Sequence, residues 1–358
     1  LNEHFNFIDY SQWGAWWRCR WYWYERYVNQ RQRRVEGQRD DALTFGGMVH
    51  DGLRHWAESR LPAISKETVE ELNPTPECFA QAQELVQEYV RRYPNEEWEM
   101  TRVEEPLTFG LGLAFQDQWG ELFNFHTIPP PAVGLAKIDA YFYNPTQRDV
   151  ESGLTDYTLS LQPGWWIREY KTKDAGRNRA NWMRRWETNM QASFQMLALQ
   201  EKIGEPVQGT LVCVLEKPKM YVPKRKCKGC QELYEMASYL PTGDGQHACP
   251  MCGHTQKLKP YESKTQHRPE FYRMKALRTQ EELARDRGRI GEVALAMERM
   301  RQEGLESTSP NTEACVHDWF GSCEYYNPHI RGFDSAEEPT LEERDARKYV
   351  ELERLIAN

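Results

Sequence analysis

Two cysteine pairs, Cys227-Lys-Gly-Cys230 and Cys249-Pro-Met-Cys252, stand 18 residues apart in a stretch broken by Gly, Pro and charged residues. A segment of that composition cannot bury enough apolar surface to fold alone, whereas four thiolates around a tetrahedral Zn²⁺ supply the missing free energy. C-x2-C pairs at this separation have metal-ligand spacing, and four sulfurs leave no open coordination position. Residues 221–260 therefore read as a four-Cys zinc ribbon inserted into a larger chain. The module is either architectural or a grip on DNA or on a partner through Lys224, Arg225, Lys226 and Lys228, with His247 and His254 as bystanders. A recombination or replication protein, such as a helicase or polymerase, is the partner such a ribbon would recruit.

The rest of the chain is long enough for a well-buried core, with 358 residues of which 39% are hydrophobic. No run approaches the roughly 20 apolar residues of a membrane helix, and the start of the chain, rich in Trp, Tyr and Arg, lacks the apolar stretch of a signal peptide. An intracellular, cytoplasmic protein is expected, where cysteines meet metals rather than disulfides. The formal charge of −8 argues against a coating or packaging role and requires any polyanion to meet a local basic surface.

Helical spacing marks residues 10–29, 44–58 and 67–93, the last ended by Pro94. From residue 103 the period changes. Residues 103–109, 132–143, 164–171 and 207–215 are short, β-branched or aromatic, and bounded by Pro, Gly or Asn, which is strand composition. A long helix is expected over residues 179–203, closed by Gly204, followed after the ribbon by a polar helix over 273–302 and a terminal helix from Leu341. The class is α/β: a central mixed β-sheet flanked by helices. The expected division is a core of residues 1–220 (helical to about 100, sheet over about 101–220), the insert at 221–260, and a helical part at 261–358 whose Cys-rich tail closes on the core.

The residues able to do chemistry lie on two of these strands. Asp139 ends Gly134-Leu-Ala-Lys-Ile-Asp139, and Glu169 and Lys171 stand two apart in Ile167-Arg-Glu-Tyr-Lys171-Thr. Residues two apart on a strand share a face, so two carboxylates and an ammonium would meet in one pocket. Carboxylates suit Mg²⁺ or Mn²⁺, which retain water as a nucleophile, and a lysine can orient that water or stabilise charge on a phosphate. On an exposed strand face the same Glu-x-Lys is an ordinary solvated pair. Glu104 and Glu105, at the entrance of the first strand, and His55 have no such support.

These segments, in this order, resemble the PD-(D/E)xK nuclease superfamily in its RecB-like branch, which includes phage-type exonucleases and CRISPR-adaptation nucleases. Gly46-Gly-Met-Val-His50 resembles the branch's Gly-x-x-x-His element, Ile138-Asp139 its G-x-x-D strand, Glu169-Tyr-Lys171 its D/E-x-K strand, and Gln191 the start of its Q-x-x-x-Y helix. The resemblance implies a restriction-endonuclease-like fold and a metal-dependent DNA nuclease, an exonuclease acting in DNA processing or recombination. By the same resemblance His50, Asp139, Glu169 and the carbonyl of Tyr170 hold Mg²⁺ or Mn²⁺, Lys171 serves catalysis, and Gln191 braces Lys171 or the DNA. Gln195 departs from the family's Tyr, and the connection from Asp139 to Glu169 is longer than usual. The alternative is a non-cleaving scaffold of the same fold that binds nucleic acid or recruits partners through its ribbon.

After the proposed catalytic strand come Lys173, Arg177, Arg179, Arg184 and Arg185, interleaved with Trp182 and Trp186. Cations neutralise phosphates and indoles stack on bases, so this is a candidate DNA or RNA track, or else a basic, partly buried helix start. The same nuclease branch often carries an iron–sulfur cluster on one N-terminal and three C-terminal cysteines. Cys19, Cys315, Cys323 and His329 resemble that set, holding a cluster, a second structural metal, or neither. Cys78 and Cys213 read as ordinary buried thiols.

Overall fold

The computed structural model describes residues 7–29, 31–33, 41–94, 100–111, 133–153, 157–174, 179–217, 219–221, 224–235, 240–242, 246–258, 264–267 and 269–304, with short pieces at 316–317, 321–322 and 341–343. Its centre is a mixed six-stranded sheet: β1 (Phe7–Asp9), β2 (Met100–Gly110), β3 (Val133–Asn144), β4 (Gly164–Lys173), β5 (Val207–Glu216) and β6 (Glu270–Ala276). β3 is the axis. Antiparallel β2 pairs with it along its length, parallel β1 with its first residues (Phe7 to Val133), and antiparallel β4 with its last five, from Ala140–Arg168 to Asn144–Gly164. β4 then continues beside parallel β5, Glu169 opposite Val212 and Lys171 opposite Val214, and antiparallel β6 follows β5. Beyond Arg168, β4 leaves β3, and the fork so formed holds the site.

Helices cover both faces. On one lie α1 (Tyr10–Arg18), α2 (Arg20–Trp23, running into a π-helical turn, Tyr24–Val28), α7 (Met190–Ile203) and α8 (Gln280–Glu303), packed on Phe109, Ile138 and Ile167. On the other lie α3 (Asp41–Ser59) and α5 (Pro76–Arg92), packed on Phe142, Trp166 and Tyr170, with α4 (Lys66–Leu72) between them in sequence. A short hairpin, Arg148–Glu151 with Thr158–Leu161, fills part of the long connection from β3 to β4 and adds Val150, Leu159 and Leu161 to the second core. No described helix is long and apolar enough to cross a membrane.

Local chemistry explains the boundaries. The Asp9 side chain caps α1 and accepts from the Gln12 N–H, and Thr279 with Glu282 forms a reciprocal capping box on α8. Gly204 closes α7 in the left-handed region at φ 72°. Four expected elements differ. The helix expected over 67–93 is two, because Asn73 turns left-handed and Thr75-Pro76 starts α5 with a cap and a proline at its first position. The helix expected over 179–203 is also two, α6 (Arg179–Glu187) and α7, since the Asn189 side chain accepts from the Gln191 N–H and restarts the chain. The polar helix begins only at Gln280: residues 270–276 form strand β6. Leu341–Glu343, expected to open a helix, is a strand paired with Arg31–Arg33.

The four-Cys module leaves this core between β5 and β6. Lys219–Tyr221 and Lys264–His267 pair antiparallel as a two-stranded stalk, and the short ribbon strands follow beyond it.

Candidate active site

At the fork, Asp139 is 8% exposed and Glu169 1%. A buried ionised carboxylate is costly unless it is paired, and each of the four oxygens here has a partner. Tyr170, the first β4 residue past Glu169, donates its backbone N–H to Asp139 Oδ2 at 2.7 Å, and His50 Nδ1 lies 3.2 Å from Asp139 Oδ1. Lys171 Nζ is 2.5 Å from Glu169 Oε1, which also accepts from Gln191 Nε2 at 2.6 Å. Gln195 Nε2 donates to Glu169 Oε2 at 2.6 Å and to the Lys137 carbonyl at 3.1 Å.

The sequence builds this convergence simply. α3 presents His50 from one helical layer; Gly52, two residues on, lets α3 close on α5, since a Cβ there would sit 2.9 Å from a Val86 methyl. α7 presents Gln191 and Gln195 from the opposite layer, one turn apart on one face. Tyr170 points away from Glu169 and Lys171, its ring edge-on to Tyr89 and to His50 with centroids 5.8 and 6.5 Å away.

Electrostatics follow from the burial. Burial alone would raise the Asp139 carboxyl, but the His50 imidazole, Lys171 and the Tyr170 N–H hold it below the usual carboxylate range. Glu169 goes the other way: burial and then the Asp139 charge push it up, against the pull of Lys171 and Gln195. Burial would lower Lys171 and His50, and the carboxylates raise both. Two crowded carboxylates and an imidazole form a donor set suited to a hard divalent cation, whose charge would relieve the Asp139–Glu169 repulsion.

The group opens into a cleft of about 560 Å³. α3 and α4 wall it with Gly47, Arg54 and Thr68, while Lys137 lies on β3 two residues before Asp139. Lys137 is exposed; Arg54 pairs with Asp51, which also accepts from the Ser65 N–H at 2.6 Å and so ties α3 to the start of α4.

His50, Asp139, Glu169, Tyr170, Lys171 and Gln191 thus come together. Gln195, which sequence reading took only as a departure from a family tyrosine, holds the second oxygen of Glu169; its spacing from Gln191 carried the signal. Tyr10 was also missed: it hydrogen-bonds Asn189 and lies within electrostatic reach of Lys171. The expected basic track divides. Lys173 is buried 3.7 Å from Glu216, and Arg179 pairs with Glu216 at 2.9 Å and with Glu270, so both tie β4 and α6 to β5 and β6. Arg184 and Arg185 are exposed on α6, and Trp182 is half-buried against Trp186 and Tyr272. Arg177 lies outside the described residues. So do Cys315, Cys323 and His329; Cys19 is buried at the break between α1 and α2.

The ribbon thiols form a second cluster. Their ligand atoms all lie within 4.8 Å of one another, with Cys227 Sγ 3.6 Å from Cys252 Sγ and Cys230 Sγ 3.9 Å from Cys249 Sγ. Tetrahedral Zn–S bonds of about 2.3 Å place sulfurs about 3.8 Å apart, so the set is compatible with zinc.

No protein-family description matches the chain, and no curated protein matches it. Three chains among solved structures do. One is a protein of Eubacterium rectale provisionally described as an exonuclease, 12% identical, with 94% of this chain and 91% of that chain covered and a TM-score of 0.45, a likeness too low to bear on the chemistry.

Proposed function

We propose that the chain is a metal-dependent nuclease of the PD-(D/E)xK type that hydrolyses phosphodiester bonds in DNA, acting as an exonuclease. The observation that carries this reading is the meeting of Asp139, Glu169 and Lys171 at the β3/β4 fork with His50 and two glutamines, open to one cleft. In it Asp139, Glu169, His50 and the Tyr170 carbonyl hold Mg²⁺ or Mn²⁺. The ion supplies a bound water of lowered pKa and neutralises phosphate charge.

The protein's own groups do the rest. Lys171, kept cationic by the two carboxylates, offers N–H donors to a phosphate oxygen where charge develops. Glu169 fixes the Lys171 ammonium, and Gln191 and Gln195 fix Glu169, so the donor is in place before substrate arrives. Lys137 on the cleft wall adds a positive charge for a neighbouring phosphate.

The test is incubation of end-labelled linear and circular DNA with Mg²⁺, Mn²⁺ or EDTA beside Lys171→Ala. Loss of linear DNA alone, dependent on the ion and absent in the variant, is the expected result. Cutting of circles as well would make the enzyme an endonuclease, and no cleavage of any DNA with either ion would overturn the reading.

A further inference from the structure

The four-Cys module has observations of its own that the cleft does not use. Beyond the sulfur distances, its two loops interlock: the Gly229 N–H points at Cys227 Sγ at 3.3 Å, and a Cβ on Gly229 would lie 2.7 Å from the His254 Cβ and 3.2 Å from Cys252 Sγ. Only glycine fits there. Its apolar cluster is small, with Cys227 and Cys249 buried and Cys230, Tyr234 and Leu258 packed on them. An ion bound by four sulfurs must therefore supply most of its folding free energy.

The module's surface is basic. Arg225, Lys226, Lys228 and Lys257 are all exposed. Buried Gln256 gathers them, its Oε1 accepting from the Lys228 N–H at 3.0 Å and its Nε2 donating to the Lys226 carbonyl at 3.5 Å, with Lys257 next in sequence. The stalk leaves the sheet on the catalytic side: the Lys217 N–H donates to the Lys173 carbonyl at 2.8 Å, two residues past Lys171, and the first stalk strand begins at Lys219.

We infer that Cys227, Cys230, Cys249 and Cys252 bind one structural Zn²⁺ that folds a basic arm, and that this arm contacts the phosphate backbone of DNA outside the cleft through Arg225, Lys226, Lys228 and Lys257. The zinc site stands independently of the cleft, while DNA as the polyanion rests on the proposed function.

The test uses the full chain carrying Lys171→Ala, so that binding is read without cleavage. Metal analysis should find one zinc per chain, lost in Cys227→Ser. Binding of a fluorescent DNA duplex, titrated over salt, is compared with and without Arg225→Ala, Lys226→Ala and Lys228→Ala together. The triple variant should keep its zinc, bind at least about ten-fold more weakly at low salt, and show a log K against log salt slope shallower by about 3. Absence of zinc from the parent chain would overturn the site. Unchanged affinity and slope in a zinc-loaded triple variant would overturn the DNA contact and point to a protein partner for the arm. If the chain without Lys171→Ala cuts no DNA while the slope falls as stated, the cleft reading fails and the arm stands.

Discussion

The β3/β4 fork and the four-Cys arm pose opposite problems. At the fork a large fold holds charges that would repel each other: two helical layers and a sheet bury Asp139 and Glu169, and His50, Lys171, Gln191 and Gln195 compensate them. The arm has little apolar surface besides the cysteines, so an ion bound by the four thiols would have to hold its fold. Metal removal should leave the fork folded but idle, and should leave the arm without structure.

The largest effect expected from this contrast is on the arm. Structural zinc in small modules is bound with about 10–16 kcal/mol of apparent free energy, so Cys249→Ser or a strong chelator should abolish amide-exchange protection across residues 224–258 and leave β3–β5 protected. Loss of protection in both regions would join what the comparison separates. At the fork, Asp139→Ala and Lys171→Ala should each lower metal-dependent cleavage by on the order of 10³-fold, measured in single turnover, with the circular-dichroism spectrum kept.

Smaller effects test the supporting groups. Gln195→Leu removes the donor to Glu169 Oε2 and should weaken Mn²⁺ binding about 10-fold or more, read by titration calorimetry without substrate. Rescue by Gln195→Asn is not expected, since the shorter amide falls short of the oxygen. Asn189→Ala removes the α7 cap and should cost about 1 kcal/mol in urea unfolding, with a lesser effect on cleavage. A larger fall in cleavage than in stability would show that Asn189 acts through its bond to Tyr10 beside Lys171.

What the sequence revealed was the chemistry carried by short spacing: Glu169 and Lys171 two apart on a strand, Gln191 on a helix, and cysteines three apart in two pairs. What it concealed depends on partners distant in the chain. Lys173 and Arg179 looked like a track because Glu216 and Glu270, which occupy them, lie 37 and 91 residues from Arg179. Tyr10 reaches the site only because α1 packs on α7, its ring 6.4 Å from Phe194. The helix breaks at Asn73-Pro-Thr-Pro76 and Asn189 were written in cap residues, and amphipathic spacing on either side masked them. β6 was masked in another way: it is buried on both faces at Tyr272-Arg-Met274, and a buried Arg273, its Nη2 donating to the Tyr89 hydroxyl at 3.3 Å, does not read as a strand core residue in sequence.

The central claim is that Asp139 and Glu169 share a divalent ion, and anomalous diffraction from crystals soaked in Mn²⁺ tests it most directly. The account predicts a manganese peak within coordinating distance of both carboxylates, lost in Asp139→Ala. A peak elsewhere only, or none at millimolar Mn²⁺, would contradict it.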